Sequence, residues 1–101
     1  MARKIVWSIQ AIEEREMILK FWIEKNKSKV YSRKLFKTWN TYLELISEYP
    51  FIGSTSQVKN VRLKVIDKNY SIIYSVLPDE IFVISIWDNH KNPSKKRFGI
   101  N

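Results

Sequence analysis

The chain has 101 residues, 45% hydrophobic and 14% aromatic, with no cysteine, two glycines and three prolines. Without cysteine there is neither a disulfide framework nor a thiolate metal site, and a lone histidine, His90, cannot assemble a zinc centre, so no metal or cofactor is expected. Eighteen basic residues against ten acidic give a net charge of +8, which favours a polyanionic partner: nucleic acid, a ribonucleoprotein or an acidic protein.

A chain of this length is expected to form one domain and to bury roughly two thirds of its unfolded surface. No apolar run approaches the ~20 residues of a membrane span, and MARKIVWSIQ lacks the features of a secretory signal, so a cytoplasmic protein is expected. Ile5 and Trp7 alternate with Lys4 and Val6 in a short strand pattern over Arg3 to Trp7. Ser8 then offers a helix N-cap, because its hydroxyl can accept a bond from an orphan N–H of the first turn. In the helix that follows, Ile12, Ile18, Leu19, Trp22 and Ile23 form a core-facing stripe, with Glu13, Glu14, Glu16, Lys20 and Glu24 on the other face.

The polar stretch Asn26 to Lys29 breaks that pattern, and Ser28 can cap a second helix. This one carries a stronger stripe: Tyr31, Leu35, Trp39, Tyr42, Leu43, Ile46 and Tyr49. Pro50 ends it, since proline lacks the N–H and disfavours helical geometry at Tyr49, and Gly53 allows a turn. So short a link between two helices predicts an antiparallel hairpin. From Phe51 to Lys59 the chain is polar without periodicity, which predicts a surface loop.

Three strands are predicted between Asn60 and Pro93, with turns at Asp67-Lys68-Asn69 and Pro78-Asp79. The helical stripes need a partner, and this antiparallel meander supplies it, extended by the N-terminal strand. The fold class is therefore α+β: a two-layer β-α-α-β-β-β domain over residues 1–93, a helical hairpin packed on a mainly antiparallel sheet, followed by a basic tail over 94–101. Tyr70, Ile72, Tyr74 and Val76 share one face of the second strand, and either face could be the buried one.

Several motifs now stand in order. Trp7-Ser8 with Ala11 enters the first helix, Pro50-x-x-Gly53 follows the second, and Asn60-Val61-Arg62 opens a strand; Tyr70-x-Ile72-Ile73-Tyr74 fills the next, and Trp87-Asp88-x-x-x-Asn92-Pro93 closes the last. Together, over residues 3–93, they resemble the RelE/ParE superfamily of bacterial toxins. The resemblance implies the same α+β fold and a toxin of a type II toxin–antitoxin module, neutralised by a cognate antitoxin that wraps it. It also implies one of two actions: cleavage of mRNA on the ribosome, in the RelE branch, or inhibition of DNA gyrase, in the ParE branch. A third alternative is a partner-binding module without toxic chemistry.

Metal-free RNA cleavage needs a base for the 2′-OH proton, cations for the phosphorane charge and an acid for the leaving oxygen. His90 is the titratable candidate, since imidazole ordinarily changes charge near neutrality, and it matches the position where one RelE-like subgroup carries its catalytic histidine. The bland alternative is an exposed histidine at a strand end. Arg62 stands where the resemblance places a frequent "Val-Arg" arginine, and it projects with Lys64 from one face, opposite Val61, Leu63 and Val65. If the sheet is buried on one side, that basic pair faces solvent as a phosphate clamp, or as a merely solvated face. Lys59, Lys91, Lys95, Lys96 and Arg97 complete the candidate nucleic-acid-binding set. Trp22, Trp39 and Tyr42 lie at helical spacing inside apolar stripes and are expected in the core, not under stacked bases. The chain also departs from the nuclease subgroup. Ile52 stands in place of its glutamate base, Ser71 in place of an arginine, and Lys91 in place of an aromatic residue. Of the two actions, ribosome-dependent RNA cleavage is the expected one, with gyrase inhibition as the alternative.

Overall fold

A computed structural model describes residues 2–91 of the chain. The elements are β1 (Lys4–Trp7), α1 (Ile9–Asn26), α2 (Val30–Glu48), a 3-10 turn (Pro50–Ile52), β2 (Ser54–Thr55), β3 (Val61–Val65), β4 (Tyr70–Val76) and β5 (Glu80–Asp88). They form the expected two layers, two helices on one five-stranded sheet of order β1-β5-β4-β3-β2. β2 to β5 pair antiparallel, while β1 lies parallel to β5, with Lys4 opposite Glu80 and Trp7 opposite Val83. No helix among the described residues is long and apolar enough to cross a membrane. Lys95, Lys96 and Arg97, with the end of the Asn92-Pro93 motif, lie outside the described residues.

Ser8 caps α1 as expected, accepting from the Ala11 N–H at 2.9 Å, and its hydroxyl also donates to the Ile84 carbonyl at 2.9 Å. The same residue therefore starts the helix and ties it to β5. At the hairpin tip Lys27 closes α1 in the left-handed region, φ 53°, and its N–H returns to the Ile23 carbonyl. The cap of α2 is Lys29 rather than Ser28, and it makes no side-chain capping bond. Ser28 lies one residue further out, where its hydroxyl accepts from the Val30 N–H at 3.2 Å.

α2 buries Leu35, Trp39, Leu43 and Ile46 against Tyr70, Ile72, Tyr74 and Val76 of β4 and Ile81, Val83 and Ile86 of β5. Trp39 is fully buried and meets the Tyr70 ring edge-on at 5.9 Å, as its stripe position predicts. The α1 stripe is shallower than expected. Ala11 is the buried residue, Ile18, Leu19 and Trp22 are partly buried, and Ile12 is 38% exposed. Ile12 follows Ala11 directly, so the 100° step per residue turns it off the contact line.

Two further expectations are corrected. The segment 51–59 is not wholly loop, because Ser54 and Thr55 pair with Leu63 and Arg62 as a short edge strand. Two residues are too few for any alternation to register. Arg62 and Lys64 do share a face, but it is the helix-side face: they pair with Tyr74 and Ile72, both in the core beneath α2. Their apolar neighbours Val61 and Leu63 pack with Ile73, Ile84 and Trp87 on the opposite face. Both faces of the sheet thus carry an apolar cluster, and the assumption of a single buried side fails.

Candidate functional site

The residues singled out from sequence lie in two places at opposite ends of β4. At one end Tyr74, fully buried, donates its hydroxyl to the Pro50 carbonyl at 2.7 Å and accepts from the Gly53 N–H at 3.0 Å. Burial pushes this hydroxyl above its ordinary pKa of 10.0, opposed by the Gly53 N–H and by the Arg62 charge. Gly53 needs its missing side chain: a Cβ there would stand 2.6 Å from the Tyr74 hydroxyl and 2.9 Å from the Leu63 carbonyl. Arg62 closes the knot. Its Nη1 donates to the carbonyls of Phe51, at 3.0 Å, and Gly53, at 2.8 Å, and its guanidinium lies 4.9 Å from the centre of the Phe51 ring. The Pro50-x-x-Gly53 motif and Arg62 thus hold the 3-10 turn against the sheet. Lys59 is exposed in the loop before β3, and Lys64 is half-buried with its Nζ 5.9 Å from the centre of the Tyr42 ring.

At the other end, Asp67 accepts from the N–H groups of Asn69 and Tyr70, both at 2.8 Å, and shapes the β3–β4 turn. Asn89 ties that turn to the end of β5. Its N–H donates to the Asn69 carbonyl at 2.8 Å, its amide donates to the Asp67 carbonyl at 3.0 Å, and its side-chain oxygen accepts from Ser71 at 2.7 Å. So Ser71, where the nuclease subgroup has an arginine, serves this lock. His90 follows, exposed, with its N–H on the Asp88 carboxylate at 2.9 Å and its Nε2 2.9 Å from the Asn69 side-chain oxygen. Lys91, also exposed, donates its N–H to the Asp88 carbonyl at 3.1 Å. Tyr70 anchors this end to α1 by accepting from the Trp22 indole N–H at 2.7 Å. Its hydroxyl is held above 10.0 chiefly by burial, against the Trp22 bond and with the help of the Asp88, Tyr31 and Asp67 charges.

The structure does not bring Arg62 and His90 together. Arg62 pairs with Tyr74, whereas His90 follows Asp88, which pairs with Tyr70. Four residues of strand separate those positions, about 13 Å along the strand direction. Sequence reasoning also missed Glu14, placed there on the outer face of α1. β1 covers β5 only as far as Val83, and a bulge between Ile73 and Tyr74 of β4 leaves Ile84 unpaired in register. The Glu14 carboxylate fills the gap, accepting from the Ser85 hydroxyl at 2.9 Å and the Ile86 N–H at 3.2 Å. Nothing in the helical period distinguishes Glu14 from Glu13, and nothing around Asn89 marks it as a lock.

Two helices on this five-stranded sheet form a fold that the chain shares with solved structures that include toxin–antitoxin systems. A chain of the chromosomal ParDE toxin–antitoxin system from P. aeruginosa aligns with a TM-score of 0.72 at 16% identity, over 86% of this chain and 96% of that one. The YoeB dimer from Staphylococcus aureus gives 0.60 at 20% identity, over 85% of this chain and 95% of that one. The E. coli DinJ–YafQ toxin–antitoxin complex gives 0.60 at 10% identity, over 88% and 94%. No family model and no curated protein sequence matches the chain.

Proposed function

We propose that this protein is the toxin of a type II toxin–antitoxin pair, held inactive in the cytoplasm by a cognate antitoxin. The observation that carries the reading is the shared fold, which spans at least 85% of this chain and at least 94% of each of the three matched chains, two of them from toxin–antitoxin systems by name. Inhibition through a binding surface, as in the gyrase-inhibiting branch that the resemblance implies, fits the geometry better than RNA cleavage. Cleavage needs its base, cation and acid around one phosphate. Arg62 and His90 stand at opposite ends of β4, and Arg62 has two backbone carbonyls as partners. Ribosome-dependent mRNA cleavage is the second reading, favoured by the exposed His90 beside the exposed Lys91.

Induction without antitoxin in a bacterial host, with labelled amino acid and labelled thymidine followed over the first minutes, tests both. Thymidine incorporation is expected to fall first, and His90→Ala to remain toxic. An immediate fall in protein synthesis, abolished by His90→Ala, would establish the nuclease reading instead. Unchanged growth would remove the toxin assignment altogether.

A further inference from the structure

From Glu24 to Lys37 the chain carries six basic residues and one acidic one, so the tip of the helical hairpin holds a net +5 out of the chain's +8. Lys25, Lys27, Lys29, Arg33, Lys34 and Lys37 are all exposed. None has an acidic partner, since the only ion pair among the described residues joins Arg15 to Glu16. The Trp22–Tyr70 bond sets the tip beyond the end of the sheet where Lys91 and the turn residue Lys68 are also exposed. The far end is mixed in charge: Glu44, Glu48, Asp79 and Glu80 stand there with Arg3, Lys4 and Lys59, Arg3 donating its N–H to the Ser47 carbonyl and Lys4 to the Asp79 carbonyl. The molecule therefore has a basic pole, built on the helical hairpin rather than on the sheet.

This charge opposes local stability. Lys29 caps α2 without a side-chain bond, no acid occupies the first turn, and Arg33 and Lys34 follow at the positive end of the helix dipole. Lys29 with Arg33, and Arg33 with Lys37, are like charges at four-residue spacing. Lys27 adopts a left-handed conformation that suits glycine or asparagine better. Where several local rules are broken in one place, a ligand is a physical reason to look for.

We propose that the hairpin tip docks on the phosphate backbone of duplex DNA. Polyphosphate is the partner that a compact, unpaired cationic surface complements. A single strand would want rings on which bases stack. Most rings of the tip already have partners: Trp22 bonds Tyr70 and meets Tyr31 edge-on at 4.9 Å, Lys25 lies over the rings of Phe21 and Trp22, and Phe36, 39% exposed between Arg33 and Lys37, has the Arg15 guanidinium 5.7 Å from its centre. The choice of DNA over duplex RNA rests on the proposed gyrase-type action, in which DNA is part of the target.

The test is fluorescence anisotropy of the purified chain on a labelled duplex of about 20 base pairs across a salt series, against a variant carrying Lys27→Asn, Lys29→Gln, Arg33→Gln and Lys34→Gln. Wild type is expected to bind, and the variant at least tenfold more weakly at low salt. Its log K against log[salt] should be flatter by about 0.9 for each phosphate that the variant no longer neutralises. Relief of like-charge repulsion and of the Lys27 strain should let the variant unfold at or above the wild-type temperature, which separates weakened binding from impaired folding. Equal binding by the variant, no binding by wild type, or tighter binding to duplex or single-stranded RNA of the same length would overturn the proposal. The readout is made on purified protein and is scored apart from the toxicity assay: DNA binding without toxicity would overturn the proposed function and keep the docking surface, and toxicity without DNA binding would do the reverse.

Discussion

Tyr74 and Gly53 depend on each other through one oxygen atom. The hydroxyl uses both its donor and its acceptor capacity inside the core, on Pro50 and Gly53. Tyr74→Phe leaves a buried N–H and a buried carbonyl without that partner, and should cost about 1–3 kcal/mol of stability in a urea titration. Gly53→Ala places a methyl group 2.6 Å from that hydroxyl, so the turn or the ring must shift. A loss of about 1–3 kcal/mol is expected by the same measurement. The two changes act on the same pair of groups, so their combination should cost less than the sum of the singles. Additive losses would show that Gly53 is needed for some reason other than room for Tyr74. The spacing of Pro50 and Gly53 was legible in the sequence as helix stop and turn. The partner of that turn was not, since Tyr74 is more than twenty residues away and reads locally as one more strand aromatic.

At the scale of elements, the first helix is held by polar contacts with β5 as well as by its stripe. Ser8 caps the helix and bonds Ile84, while Glu14 completes the β5 edge that β1 leaves uncovered. Ser8→Ala should destabilise the protein by about 1–2 kcal/mol, the usual cost of removing an N-cap, read as a lower denaturation midpoint. Glu14→Ala uncovers strand edge beside Met17 and Phe21, which are 72% and 52% exposed. An open edge next to apolar surface favours pairing between molecules. Light scattering should show concentration-dependent association of Glu14→Ala at concentrations where wild type stays monodisperse; identical scattering would mean that Glu14 does not guard the edge. Helix start, hairpin link and helix stop were all readable from Ser8, Asn26 to Lys29 and Pro50. The strand Ser54–Thr55 was not, because a strand that short exists only through its pairing with β3.

For the molecule as a whole, the buried tyrosines give stability a dependence on alkaline pH. Burial raises both Tyr70 and Tyr74 above 10.0 in the folded state, so the folded chain keeps protons that the unfolded chain has released. Their contribution is complete below pH 10 and is lost as pH rises through the raised native values. Thermal unfolding followed from neutral pH upward should show a decline that steepens above pH 10, and Tyr74→Phe should lessen it. A profile unchanged by that substitution would assign the decline to other groups. The basic pole belongs to the same scale: six cations gathered at one end set a direction for approach to a polyanion, whatever the contacts made on arrival.

By itself the sequence determined the order and kind of the main elements, the hairpin, the two-layer class and the core role of Trp22, Trp39 and Tyr42. These follow from periods of 3.6 and 2 residues, from caps and from proline, all of which act within a few positions along the chain. Only the tertiary structure decided that β1 joins β5 in parallel, that Arg62 and Lys64 lie on the helix side, and that Arg62 and His90 stay apart. The physical reason is that alternation says which residues share a face but not which face meets the helices. A strand with apolar residues on both sides, such as Tyr70–Val76, leaves that choice to its neighbours.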